Sequence, residues 1–197
     1  MVIQPCHDAG TASIHRGESA RLILLEIVAV VITLVVGGSI VWSTAKVGIS
    51  PMPSSSKARE AIIRLMPDTG SGPVYDLGSG WGGLVIRLAQ THPDRKIVGY
   101  EVSFVPWLVS VLFKKALGLD NLEIHKKNFL LADLSVADVL VCFLHTDGMR
   151  DVAGKLAADN ISNVFLISNY FALPSRQPET AMLISDFYKS PIYRYRL

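Results

Sequence analysis

Apolar and polar residues follow two different rhythms along this chain, and the change between them divides it. From residue 22 to residue 42 nearly every position is apolar, with Glu26 the only charge, and residues 27–45 carry no charge at all. Such a run is long enough to cross about 30 Å of hydrocarbon. Trp42 suits an interfacial aromatic belt, and Arg21 and Lys46 bracket the segment. From residue 57 onward, short apolar runs alternate with stripes of helical spacing. Residues 58, 61, 62, 65 and 66 form one such stripe, preceded by serines suited to capping a helix over 57–66. The pattern then predicts strands at 74–77, 96–101, 122–127, 137–144 and 163–168. Between them it predicts helices at 82–91, 105–117 and 149–158, the second with an unusually apolar surface and ended by Gly118. Residues 182–188 and 192–196 read as a closing antiparallel hairpin turned at Ser190-Pro191. This alternation is that of an α/β fold with a doubly wound parallel sheet, which binds ligands at the carboxyl ends of its strands.

The organisation that follows is a tail at 1–20, a transmembrane helix at 21–45, a linker at 46–56 rich in proline and serine, and a folded domain at 57–197. A cleaved signal peptide competes for the apolar run, since Ser43-Thr44-Ala45 loosely imitates a cleavage site, but the run is too long and its start is not distinctly basic. A buried soluble helix is disfavoured by the same length. Arg16 and Arg21 precede the run, whereas Lys46, Lys57, Arg59 and Arg64 follow it, so the positive-inside rule places the domain on the cytoplasmic or mitochondrial matrix side.

Composition adds limits. The chain has 197 residues, 50% of them hydrophobic, which is enough for one core. A net charge of +2 is too mild to argue for nucleic acid, and a mean hydropathy of +0.36 is high for a soluble domain. The only cysteines, Cys6 and Cys142, fall in the tail and in an expected buried strand, which argues against a disulfide. Cys6, His7 and His15 lack metal-site spacing, so no metal is expected. The terminal YRYR (193–196) reads as the two faces of a strand. With Lys114, Lys115, Lys126 and Lys127, its arginines could also meet anionic headgroups.

The most informative stretch is VYDLGSGWGG at 74–83, a strand running into a glycine turn and a helix. Glycine there bares the backbone to a ligand and permits positive φ. Gly78, Gly80 and Gly83 satisfy G-x-G-x-x-G, and Glu101 follows at the end of the next strand, so a nicotinamide-dependent oxidoreductase is a competitor. Against it, Asp76 stands two residues before the first glycine, where it would repel a pyrophosphate. It would instead suit an ammonium or sulfonium group, or order the loop by hydrogen bonding. Too little chain follows the second strand for a substrate domain, and the closing hairpin is foreign to that fold.

These residues resemble the class I S-adenosylmethionine-dependent methyltransferases, whose first motif is matched by Asp76, Gly78, Gly80 and Gly82. The resemblance spans residues 57–197 and implies a Rossmann-like methyltransferase sheet with a C-terminal antiparallel hairpin, here preceded by one transmembrane helix. It implies S-adenosyl-L-methionine as cofactor. The methionine portion would lie on Gly78, Ser79, Gly80 and Gly82 with its amino group near Asp76, the ribose hydroxyls on Glu101, and the adenine at Asn128 and Phe129. Together with the apolar run, the connector SPMPSSSKAREAI, the GYE of strand two and PWLV at 106–109, the chain looks like the membrane-anchored protein lysine methyltransferases of the ATP synthase c subunit and adenine nucleotide translocator type and their prokaryotic relatives. It departs from them at Trp81 and Gly83, where they generally carry Asp and Arg.

Methyl transfer from a sulfonium is an in-line displacement that needs alignment and, for a lysine acceptor, loss of a proton. The segment LHTDGM after strand four lacks both an Asn/Asp-Pro-Pro-aromatic tetrad and a Pro-Cys nucleophile. Cys142 reads as core. His145, Asp147 and Tyr170 are the polar candidates near the acceptor, and Asp147 could equally cap the helix that follows. The expected function is thus a membrane-anchored methyltransferase acting on a protein lysine. It would partner the bilayer through 21–45 and a membrane-protein substrate, but no nucleic acid. Alternatives are a small or lipid-like acceptor, an NAD-dependent oxidoreductase, and a non-catalytic anchored binding module.

Overall fold

The computed structural model describes residues 21–38, 41, 54–185 and 189–197. The expected tail with Cys6, His7 and His15, the end of the apolar run with Trp42 and Lys46, and most of the linker lie outside these residues. Helix α1 (Arg21–Gly38) is long and apolar enough to cross a membrane, and none of it is buried among the described residues.

Helix α2 (Ser56–Leu65) starts where Ser55 accepts a hydrogen bond from the Ala58 N–H at 3.1 Å, the serine cap anticipated from the pattern. Its buried residues, Ala58, Ala61, Ile62 and Leu65, are the predicted stripe. There follow β1 (Val74–Asp76), α3 (Gly83–Thr91), β2 (Ile97–Glu101), α4 (Phe104–Ala116), β3 (Leu122–Lys126), a short 3₁₀ turn (Phe129–Leu131), β4 (Val139–Cys142), α5 (Thr146–Ala158), β5 (Phe165–Asn169), β6 (Thr180–Leu183) and β7 (Pro191–Arg196).

The strands form one sheet in the order β3-β2-β1-β4-β5-β7-β6. β1 to β5 are parallel, and β7 runs antiparallel to both β5 and β6. The order reverses at β1 and β4, so the crevice beyond Asp76 is the topological switch point. α2 and α3 cover one face through a cluster that includes Ile62, Val85, Leu88, Val139 and Ile167. α5 covers the other through Met149, Val152 and Leu156, which pack on Leu77, Leu140 and Leu166.

Most boundaries fall within two residues of the sequence pattern, and two depart further. The hairpin's first strand is 180–183, upstream of the apolar run at 182–188, because β7 pairs Thr180 with Arg194 and Leu183 with Pro191. As an edge strand it leaves Leu183 exposed, so its apolar content is a weak guide. The helix after β4 begins at Thr146, three residues early, for a reason that lies in the site.

Candidate functional site

The β1–α3 turn is held by main-chain bonds. Ser79 N–H donates to the Tyr100 carbonyl at 2.9 Å, and Gly82 N–H donates to the Ser79 carbonyl at 2.9 Å. Gly82 sits at φ +82° as the first cap of α3, and a Cβ there would come within 2.6 Å of Ser110 Cβ on α4. Gly80, at φ +53°, meets nothing within 4 Å where its Cβ would be, so its bare backbone faces open space. Beneath the turn, a Cβ at Gly99 of β2 would lie 2.9 Å from Ser79 Cβ. Gly99 enters the sequence analysis only within the GYE of strand two, and a glycine inside a strand is the signal of such a close approach.

Asp76 ends β1 between Gly99 and Val141 and is 3% exposed. Among the described residues no donor reaches its carboxylate. Burial, and then the neighbouring Glu101 carboxylate, push its pKa up to about 7. Glu101, also buried, is committed to backbone. Its Oε2 accepts from Gly80 N–H at 2.9 Å and its Oε1 accepts from Ser103 N–H at 2.6 Å. The task of ordering the glycine loop therefore falls to Glu101, while Asp76 stays unpaired.

A buried, unpartnered carboxylate beside a second acid is costly unless a cation arrives. A left-handed glycine turn with open space above it offers that cation a place. The residues therefore fit a ligand that brings a positive charge over the turn.

The other anticipated residues are placed as follows. Asn128 is exposed and accepts the Leu130 N–H at 3.0 Å, capping the 3₁₀ turn. Phe129 is half-buried against the core cluster on the α5 face. His145, not Asp147, caps α5. Its Nδ1 accepts the Gly148 N–H at 3.3 Å, which puts the ring proton on Nε2, 3.5 Å from Asp147 Oδ2. An imidazole accepting at this point is what starts α5 earlier than the apolar stripe suggests. Asp147 is largely exposed and holds Arg150 at 2.5 Å. Tyr170 sits at φ +71°, a strained conformation for an aromatic residue, with its ring 5.0 Å from that of Phe171. Cys142 is free and buried, its thiol pushed up to about 12 by burial.

The structure adds Asn169, the last residue of β5. It is 3% exposed, donates from Nδ2 to Ser54 Oγ at 3.2 Å, and leaves Oδ1 buried without a partner among the described residues. It lies two strands from Asp76, roughly 10 Å across the sheet. Ser54 is held in turn by Arg59, whose Nη1 would be 3.6 Å from a Cβ at Gly83. The end of the linker is thus pinned over the carboxyl edge of the sheet. Asn169 could not be found from pattern, because a polar residue closing a strand looks like a turn residue.

Comparison with known proteins bears on this site. The model of the family described as ANTKMT methyltransferase domain matches residues 76–180. A protein-lysine N-methyltransferase of Saccharolobus islandicus (strain REY15A) is 24% identical over 136 residues, 68% of this chain and 84% of that protein. The crystal structure of an RNA methyltransferase from Salinibacter ruber in complex with S-adenosyl-L-homocysteine superposes with a TM-score of 0.63 and 25% identity, covering 73% of this chain and 92% of that one. The B. subtilis M1A22 tRNA methyltransferase TrmK shares the fold at 14% identity and a TM-score of 0.55, over 72% of this chain and 65% of its own.

Proposed function

This chain belongs to the ANTKMT methyltransferase domain family and is a class I S-adenosylmethionine-dependent methyltransferase, and from there we propose that its acceptor is the ε-amine of a lysine in a membrane-associated protein. The unpaired Asp76 carboxylate buried beside an open glycine turn carries the cofactor side of this reading, and the lysine-modifying relative carries the acceptor side. With the family in hand, the nicotinamide reading is set aside. A non-catalytic module is disfavoured because Asp76, the turn and Glu101 are all in place.

S-adenosylmethionine, when bound, supplies an electrophilic methyl group on a sulfonium. Asp76 would hold the ammonium of its amino acid portion, and Gly78, Ser79, Gly80 and Gly82 would leave the backbone bare for it. Glu101 gives one lone pair of each oxygen to Gly80 and Ser103 and would have others for two ribose hydroxyls. Asn128 and Phe129 would border the adenine. A free lysine ammonium has a pKa of about 10.4, so the acceptor must be stripped of a proton before its lone pair can attack. Asn169 Oδ1 would accept an N–H of the neutral amine and so orient its lone pair. His145 Nδ1 is already engaged, so His145 shapes the rim with Asp147 and Tyr170, and the proton leaves to water.

Support for lysine comes from the S. islandicus relative, which bears that activity in its name. The S. ruber structure is of an RNA methyltransferase, but the net charge of +2 here supplies little attraction for a polyanion. We place residues 21–45 across a bilayer, with the domain on the cytoplasmic or matrix side, so that the site works within a short tether of the membrane.

Titration of the detergent-solubilised chain with S-adenosylhomocysteine and NAD tests the cofactor. Micromolar binding of the first alone, weakened in Glu101→Ala, is expected. Incubation with labelled S-adenosylmethionine and membranes from the source organism, followed by peptide mass spectrometry, tests the acceptor. Methyl-lysine in a membrane protein is expected, whereas label confined to RNA or lipid would overturn the lysine reading.

A further inference from the structure

Three of the domain's four helices turn polar side chains outward: Lys57, Glu60 and Arg64 on α2, Arg87 and Gln90 on α3, and Asp147, Arg150 and Asp151 on α5. α4 does the opposite. Only Pro106 and Ser110 of α4 are buried, and Phe104, Leu108 and Leu112, spaced one turn apart on its outer side, are between 37% and 57% exposed. Phe113 widens the apolar surface within the helix, and Leu117 extends it past the far end. The helix is about 20 Å long. A continuous apolar stripe of that length is unusual on a soluble surface and marks a contact site.

Charge tells what the contact is. α4 carries no acid, and lysines stand at both of its ends. Lys114 and Lys115 occupy its last turn, while Lys126 ends β3 and Lys127 follows it, with Lys126 Nζ 4.9 Å from the Phe104 ring of the first turn. The nearby acids are Asp120 and Glu123, and Glu123 is taken up by Lys96 at 2.8 Å. An apolar stripe with a cationic pair at each end matches a helix lying flat in the interface of an anionic bilayer, side chains among the acyl chains and lysines at the headgroups. A second copy fits poorly, because an antiparallel two-fold contact would set the Lys114 pair of one copy against the Lys126 pair of the other.

We propose that the outer face of α4 docks on the surface of an anionic membrane. This goes beyond anchoring by α1. α4 follows Glu101 directly, and its first turn lies at the carboxyl edge of the sheet. Docking by α4 would hold the carboxyl edge of the sheet, and the site on it, close to the membrane in which the acceptor sits.

The test uses the full chain with Cys6→Ser and Leu112→Cys, labelled with an environment-sensitive dye, Cys142 being buried. A control carries the label at Ala157 on α5. The protein is reconstituted into vesicles of phosphatidylcholine alone or with phosphatidylserine, and quenching by nitroxide lipids is read. Quenching at 112 but not at 157, strong with phosphatidylserine and reduced at least about tenfold in apparent lipid affinity by K114E/K115E/K127E, is expected. Equal quenching at both sites, or none at 112, overturns the proposal. So does a dye already shielded in detergent, which would mean α1 covers the face, or shielding that scales with protein-to-lipid ratio, which would mean a second copy does. Vesicle flotation and S-adenosylhomocysteine binding, measured on the same samples, separate these outcomes. A chain that floats and binds but is not quenched loses the docking alone, and one that binds but does not float loses anchoring and docking together.

Discussion

Asp76 is pushed up to about 7 from an ordinary 3.8 because burial denies it water and Glu101 adds repulsion. If the ionised form is what receives the cofactor's ammonium, protons compete with binding. At pH 6 about nine in ten unliganded molecules carry the proton, and at pH 8 about one in ten does. The apparent Kd for S-adenosylhomocysteine is then about tenfold weaker at pH 6 than at pH 8, and binding at pH 7 releases about half a proton to buffer. Calorimetry in buffers of different ionisation enthalpy measures both quantities. The same group bears on stability with the opposite sense. A folded pKa above the unfolded one means stability is full below about pH 4 and is lost as pH rises toward 7. The penalty above pH 7 is about 4 kcal/mol at most. Asp76→Asn therefore raises the melting temperature of the unliganded protein at pH 8, weakens cofactor binding there, and flattens the dependence between pH 6 and 8. A flat profile in the unmutated protein would refute the reasoning, as would a slope of the same size in Asp76→Asn.

Gly82→Ala forces a left-handed alanine and a collision with Ser110, costing about 2–4 kcal/mol in chemical denaturation and abolishing cofactor binding. Asn169→Ala leaves the Kd for S-adenosylhomocysteine unchanged and lowers kcat by about 5–100-fold, the range of one lost hydrogen bond to a reacting group. An equal fall in binding would remove Asn169 from the acceptor side. Cys142, with its thiol pushed up to about 12 inside the core, stays unmodified by iodoacetamide in the native protein and reacts on denaturation, as peptide mapping would show.

Most of the architecture could be read from residue pattern, because each parallel strand is a short apolar run with a helix stripe on either side. The helix limits shifted by a residue or so at α2, α3 and α4, where caps and glycines mark the ends. Edge strand β6 was misplaced because its pairing with Pro191–Arg196, rather than its own hydrophobicity, sets where it lies. Asp76 and Glu101 could be singled out because their spacing from the glycines is part of the chain. Their division of labour could not, because which carboxylate faces Gly80 N–H depends on how β2 lies beside β1. The same holds for His145 and Asp147. Both are good N-terminal partners for α5, and only the approach of Gly148 to the ring decides that the imidazole takes the cap.

Asn169 is the clearest case of what pattern omits. Its side chain gains meaning from Ser54, more than a hundred positions earlier, which fills one end of the amide and leaves the other bare. A serine hydroxyl can give or take a hydrogen bond, but it can satisfy only one end of the amide at a time. One polar end therefore stays unpaired inside the protein whichever way the amide is turned, at a cost of about 1–3 kcal/mol. A domain that keeps two such debts on one edge of its sheet, at Asp76 and at Asn169, is arranged for ligands that arrive with a positive charge and an N–H.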